Sequence, residues 1–368
     1  MNIDVRHILQ LTTIPGVGPG RIKNLVNYFK ETELIFKASI SELVKVEGID
    51  KGLAKRIIEM RNQNLKFADE QLLKAEKVKA RILTLWDSEY PDLLRKIYDP
   101  PIVLFIRGNL VEQDRYSIAI VGTRTPTNYG KIMCEKFAIG LSKMNLTIVS
   151  GFARGIDTIA HVSALKSGGR TIAVLGSGVD YIYPPENRKI VDSVISNGAI
   201  VSEFPMGAKP DAMNFPKRNR IISGMSIGVL IVETSRTGGA MITAEFANDQ
   251  NRDVFAIPGN VDNVKSQGTN FLIKHNRAKL VEDVNDIVEE IRSFIQPILK
   301  SEPSKPKVEV NVFEAKILEV LSTSEPMHVD KIAELSGLSI TDALVHLLSL
   351  EFKDLVHQLP GKLFVKKF

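Results

Sequence analysis

Cysteine is nearly missing: Cys134 is the single one among 368 residues. One thiol cannot close a disulfide within the chain, which excludes a disulfide-stapled scaffold and fits a reducing compartment. Long apolar runs are missing too. No stretch approaches the ~18 residues of a membrane-spanning helix. The opening Met1-Asn2-Ile3-Asp4-Val5-Arg6 lacks the basic, apolar and small-residue layout of a secretory leader. A cytoplasmic protein with no membrane partner is therefore expected. Charge of one sign is also lacking. Forty-eight Lys and Arg stand against 43 Asp and Glu, a net charge of +5. That balance permits a nucleic-acid partner without requiring one, so the placement of the charges decides more than their sum. The six histidines show no metal-ligand spacing, and neither a metal nor a cofactor is expected. What remains is ordinary: 44% hydrophobic residues and a length that suits two or three domains.

Residues 1–81 read as a helical module with two similar glycine turns. One is Ile14-Pro15-Gly16-Val17-Gly18-Pro19-Gly20-Arg21, the other Val46-Glu47-Gly48-Ile49-Asp50-Lys51-Gly52. Each precedes an amphipathic stretch, which is the layout of paired helix-hairpin-helix elements of the SAM-like kind. Such turns can offer backbone N–H groups to a phosphate. Asp50 would repel one. The module is either a phosphate contact or a packing element.

Residues 82–296 alternate strand and helix signals. The strand candidates are Ser117–Val121, Thr147–Ser150, Thr171–Leu175, Ala199–Ser202, Gly228–Val232 and Asp253–Ile257. Helical patterns such as Ile156–Lys166 and Ala240–Asn248 lie between them. The expected fold is α/β, a Rossmann-like parallel sheet core with ligands beyond the carboxyl ends of its strands. Residues 297–307, with Pro297, Pro303 and Pro306, read as a linker. Residues 308–368 have the element order of a winged-helix domain. Its third helix is poor in basic residues, with Glu351 and Asp354 opposing His346 and Lys353. Reading of a duplex through that helix is therefore not favoured over a protein contact.

Familiar catalytic patterns fail one by one. A Walker A loop is absent, because Gly122 and Gly130-Lys131 are too far apart. Gly176-Ser177-Gly178 begins a dinucleotide fingerprint, but Tyr181 occupies the third glycine position. Cys134 and His161, each alone on a helix, read as packing residues. One segment keeps catalysis open. Thr237-Gly238-Gly239-Ala240-Met241-Ile242-Thr243-Ala244-Glu245 is similar to the phosphate loop of phosphoribohydrolases, in which Glu245 would be catalytic. The alternative is a solvated Glu245, since no second catalytic group accompanies it.

A binding constellation is better supported. Four segments should meet at the strand ends: Gly122 to Arg124, Gly151 to Arg154, Phe215 to Arg220, and the Gly238-Gly239 turn. The third gathers Lys217, Arg218 and Arg220 beside Phe215 and Asn219. Binders of single strands combine a cationic track with an aromatic platform, and a stacked base is worth about 1–3 kcal/mol. Arg154 could instead pair with Asp157. Arg218 and Arg220 must point to different faces, so one of them is expected to be structural.

These residues resemble the DNA-processing protein A (DprA, or Smf) family. The resemblance rests on Val121-Gly122-Thr123-Arg124, on Ser150-Gly151-Phe152-Ala153-Arg154-Gly155-Ile156-Asp157, on Tyr183-Pro184-Pro185-Glu186-Asn187 and above all on Phe215 to Gly224. It covers nearly all of residues 82–290. Phe152 departs from it, standing where a smaller aliphatic residue is usual. The resemblance implies a non-catalytic protein that binds single-stranded DNA. Such a protein protects incoming strands in natural transformation, helps load a RecA-type recombinase, and forms a homodimer through the Rossmann-like domain. Carried over onto this chain, the DNA pocket comprises Gly122, Arg124, Gly151, Arg154, Phe215, Lys217, Arg218, Asn219 and Arg220.

Overall fold

The apolar runs that end in glycine become the centre of one large sheet. The computed structural model describes residues 2–61, 65–299, 310–322, 325–353 and 355–367, divided into a unit Met1–Pro297 and a unit Ile298–Phe368. In the first unit the strands are β1 (Ala80–Thr84), β2 (Val103–Gly108), β3 (Ser117–Val121), β4 (Thr147–Ser150), β5 (Thr171–Val174), β6 (Gly198–Ser202), β7 (Gly228–Ile231), β8 (Asp253–Ala256) and β9 (Lys279–Leu280). Their order across the sheet is β1-β2-β6-β5-β4-β3-β7-β8-β9. From β6 to β9 every pairing is parallel. Every residue of β3 to β7 is buried, as strands covered by helices on both faces must be.

The chain reverses its winding at β3. This strand pairs with β4 on one side and β7 on the other. The helix after β3, Asn128–Lys143, leads toward β4, and the helix after β7, Gly239–Asp249, leads toward β8. The two loops therefore part at the carboxyl ends of β3 and β7 and leave a crevice between them.

The expected parallel core carries one addition. Strands β1 and β2 add an antiparallel edge, β2 against β6 and β1 against β2. They are joined through a proline-bearing segment whose only helix is the short Asp92–Arg95. The strand–helix alternation that marks a parallel unit is thus absent there. The boundary expected at 81/82 falls inside β1, and the helix Arg292–Leu299 runs across the one expected at 296/297. Most of the expected linker lies outside the described residues.

The N-terminal helices pack on that edge. Val5–Thr12 and Leu65–Lys77 lie against β1. Gln71 is buried and reaches across, its Oε1 accepting from Met206 N at 2.7 Å. The two glycine turns face each other. Arg21 donates to the carbonyls of Gly16 (2.6 Å) and Gly48 (2.8 Å), and Arg56 donates to that of Pro15 (2.6 Å). Asp50 caps the helix Lys51–Met60 by accepting from Leu53 N at 2.8 Å.

The second unit has its own core. Helices Val312–Val320, Val329–Ser336 and Ile340–Phe352 accompany a sheet of β10 (Met327–His328), β11 (Val356–Leu359) and β12 (Leu363–Lys366), ordered β10-β12-β11. Ile317, Ile332, Leu347, Leu350 and Phe364 fill the core. Glu314 is buried and bonded to Lys353 and Ser349. The outer face of the third helix shows Val345, Leu348 and Phe352 to solvent. Asp354 lies outside the described residues.

Candidate nucleic-acid interface

A cavity of about 840 Å³ opens in the crevice between the β3 and β7 loops. Gly122, Thr123 and Arg124 form one wall, and Thr234, Ser235, Gly238 and Gly239 form the opposite one. Phe215, Arg218 and Asn219, from the helix Asn214–Gly224, and Asp157 complete the lining. Beyond Phe215 a narrower cleft continues, lined by Gly151, Arg154, Gly176 and Tyr183. The four expected segments therefore meet, and Phe215 stands between the two spaces.

The backbone turns make this close assembly feasible. Gly155 takes φ 77°, and a Cβ there would lie 2.4 Å from Thr123 O, so the β3 and β4 loops touch main chain to main chain. A Cβ on Gly122 would lie 2.7 Å from the Ile156 side chain, and one on Gly151 would lie 2.6 Å from the Arg218 guanidinium. A Cβ on Gly238 would strike Thr234 Oγ1, whereas Gly239 faces open space. Four of these five glycines are thus explained by packing alone. Gly239 begins the helix Gly239–Asp249, whose N-cap, Gly238, has no side chain to occupy the first N–H groups.

The cations fall into two kinds. Arg124 is exposed, makes no salt bridge among the described residues, and carries its guanidinium 5.5 Å from the centre of the Phe215 ring. Lys217 is exposed on the outer side of its helix but does not line the cavity. Arg154 is exposed and held by Glu186 at 2.8 Å. The expected alternative partner Asp157 is corrected here, because Asp157 is buried beneath the turn and accepts from Ala153 N. Arg218 and Arg220 are both committed elsewhere, which corrects the expectation that only one is structural. Arg218 is 4% exposed and donates to the carbonyls of Gly151 and Val174. Burial lowers its pKa to about 10, against the opposing pull of Asp157. Burial raises the Asp157 carboxyl, and Arg218 works against that rise. Arg220 leaves the cavity altogether. It grips Glu203 with two hydrogen bonds of 2.9 and 2.6 Å and lies 3.3 Å from Asp99. Asn219 ties the floor together, accepting from Arg218 and donating to Gly239 O.

The residues expected to be inert are buried. Burial pushes the Cys134 thiol up, and the thiol lies against Ile156 O. His161 is fully buried beside Phe152, its Nδ1 2.6 Å from Thr171 Oγ1, and burial drives its pKa down to about 3. Phe152 itself is buried at φ 59°, unusual for a non-glycine residue. Glu245 is exposed and does not line the cavity.

Three contributors escape the sequence reading. Lys265 lines the cavity and donates to Thr125 O. Tyr183 stands 6.1 Å from Phe215, ring centre to ring centre. Glu233, two residues beyond β7, is buried against the loop that carries Arg124. Tyr183 lies in a run that carries the family resemblance, but neither spacing nor residue type marks Lys265 or Glu233.

Comparison with known proteins agrees with this architecture. The family described as DNA recombination-mediator protein A matches residues 81–292, the DprA winged helix domain matches 301–362, and the SAM-like helix-hairpin-helix tandem matches 8–60. Protein Smf of Synechocystis is 36% identical over the full length of both chains. The crystal structure of DNA processing protein A from Streptococcus pneumoniae superposes with a TM-score of 0.68 at 33% identity, covering 79% of this chain and 99% of that one. DNA processing protein A from Helicobacter pylori, described for its single-stranded DNA binding mode, superposes with a TM-score of 0.53 at 29% identity, covering 59% and 97%. With the switch-point cavity, the flanking modules and these matches in agreement, the chain belongs to the DNA recombination-mediator protein A family.

Proposed function

We propose that the cavity binds single-stranded DNA without strong sequence preference. One observation carries the reading: an exposed Arg124, in no ion pair among the described residues, lies over the face of a half-buried Phe215 at the meeting point of two cavities. A base stacked against Phe215 must leave its own stack, which a single strand allows at lower cost than a duplex. Arg124 and Lys265 would neutralise the adjoining phosphates, and Lys217 would extend the positive track along the outside. The open N–H groups at Gly239 favour an anion there. Arg218 supplies positive potential from beneath, and Arg220 holds the helix in place.

Carried into the cell, this reading makes the protein a cytoplasmic, dimeric mediator. It would protect incoming strands and pass them to a RecA-type recombinase during natural transformation. The solved Helicobacter pylori relative supports the DNA part. The pocket is assigned to binding, with no catalytic group in it.

Gel-shift titration with an oligothymidine tests the pocket. Arg124→Ala and Phe215→Ala should each weaken binding by about 1–3 kcal/mol, and Arg124→Ala should also flatten the dependence on salt by about one phosphate. If both variants bind like the parent, the cavity is not the DNA site.

A further inference from the structure

We infer that Glu233 is the positioning residue of the Arg124 loop, and that its grip on Thr123 and Thr127 sets Arg124 over Phe215. The inference rests on the DNA-binding reading of the cavity. Nothing in the residue type suggests the role, because a buried carboxylate at a strand end next to a proposed phosphate site would ordinarily weaken anion binding.

The hydrogen bonds show where its charge is used. Glu233 is 1% exposed. One carboxylate oxygen accepts from Thr127 N at 2.9 Å and the other from Thr127 Oγ1 at 2.5 Å. Its main-chain carbonyl accepts from Thr123 N at 2.7 Å. One residue therefore pins both ends of the segment 123–127, and Arg124 is the cation that segment displays. Thr127 also caps the helix Asn128–Lys143 by accepting from Gly130 N at 3.1 Å. The carboxylate thus sits at the positive end of that helix and is not part of the cavity lining. The approach is so close that a Cβ on Gly130 would lie 2.4 Å from the Glu233 carboxyl carbon. On the other side, Lys265 donates to Thr125 O, so the loop is tied at its middle as well.

A helix cap alone would lower stability without reference to Arg124, so the test is a coupling measurement. Glu233→Met keeps the volume and removes both acceptors. It should weaken oligothymidine binding roughly tenfold in the parent and less than about twofold in Arg124→Ala, as expected for residues acting through one another. Glu233→Gln retains an acceptor for Thr127 N and a donor for Thr127 Oγ1, so it should bind within about threefold of the parent. Thr127→Val loosens the same clamp from the other side and gives the same coupling if Glu233→Met does not fold. Hydrogen exchange at the amide of Thr127 should quicken in Glu233→Met, while Thr123, bonded to the main-chain carbonyl that the substitution keeps, and the amides of β3 stay protected. Equal losses with and without Arg124 would overturn the role. Unchanged exchange at Thr127 overturns it however the binding falls. If Arg124→Ala binds like the parent, the DNA reading of the cavity fails instead.

Discussion

The chain carries glycine-rich turns beside arginines in two places, and the two are built for opposite ends. At the strand ends the turns surround a cavity, and Arg124 lines it with no carboxylate partner among the described residues. In the N-terminal module the turns face each other, and Arg21 and Arg56 are folded back onto the carbonyls of Gly16, Gly48 and Pro15. There Asp50 occupies the Leu53 N–H that an anion would need. Glycine plus cation is thus only half a phosphate site. The other half is a donor left unspent. That measure favours packing for the second hairpin, and Gln71 ties the module to the loop between β6 and the Phe215 helix by accepting from Met206 N.

The same distinction divides the arginines inside the site, and it gives the largest expected effect. Arg218→Met should cost about 3–5 kcal/mol of stability, because it leaves Asp157 buried without its counter-charge and two carbonyls without a donor. Arg124→Met should change stability by no more than about 0.5 kcal/mol. Urea denaturation of the two variants decides it. Equal stabilities would remove the division between spent and free arginines.

Acid separates the two regions next. His161 lies under the strand-end turns with a pKa near 3, against 6.5 for an ordinary histidine. As pH falls below 6.5 the unfolded chain takes up this proton first. Stability is therefore full above pH 6.5 and declines by about 1.4 kcal/mol per pH unit from there down to pH about 3, or about 2 kcal/mol at pH 5. The one histidine of the hairpin module, His7, is half-buried. Denaturation midpoints at pH 7 and pH 5 should move further in the parent than in His161→Leu. Equal movement would mean that the buried imidazole does not control the acid response.

These contrasts also explain what could be read from the residues. The six central strands lie within one residue of their apolar runs, because a strand buried on both faces has little freedom in composition. Strands β1 and β2 escape because an antiparallel edge breaks the strand–helix alternation. In the site, Phe215 and Arg124 could be read as an aromatic and a cation at glycine turns. The fates of Arg218 and Arg220 could not. Their partners lie 67 and 44 residues away at Gly151 and Val174, and 17 and 121 residues away at Glu203 and Asp99. Whether an arginine is spent is a tertiary fact. The same holds for Arg154, where the neighbouring Asp157 is a plausible partner in sequence and Glu186 is the actual one.

The smallest effect tests the comparison most directly. Asp50→Gly frees the Leu53 N–H and removes the repelling carboxylate, while glycine remains an acceptable N-cap, so stability should fall by only a few tenths of a kcal/mol. If the second hairpin is a packing element, affinity for oligothymidine and for duplex DNA should stay within the error of a gel shift. Arg21 and Arg56 would still be bonded to the carbonyls of the turns, which leaves the exposed Lys51 as the cation beside one more amide. A clear rise in duplex affinity would mean that Asp50 alone was blocking a working phosphate site. The two glycine systems would then differ by one side chain rather than by architecture.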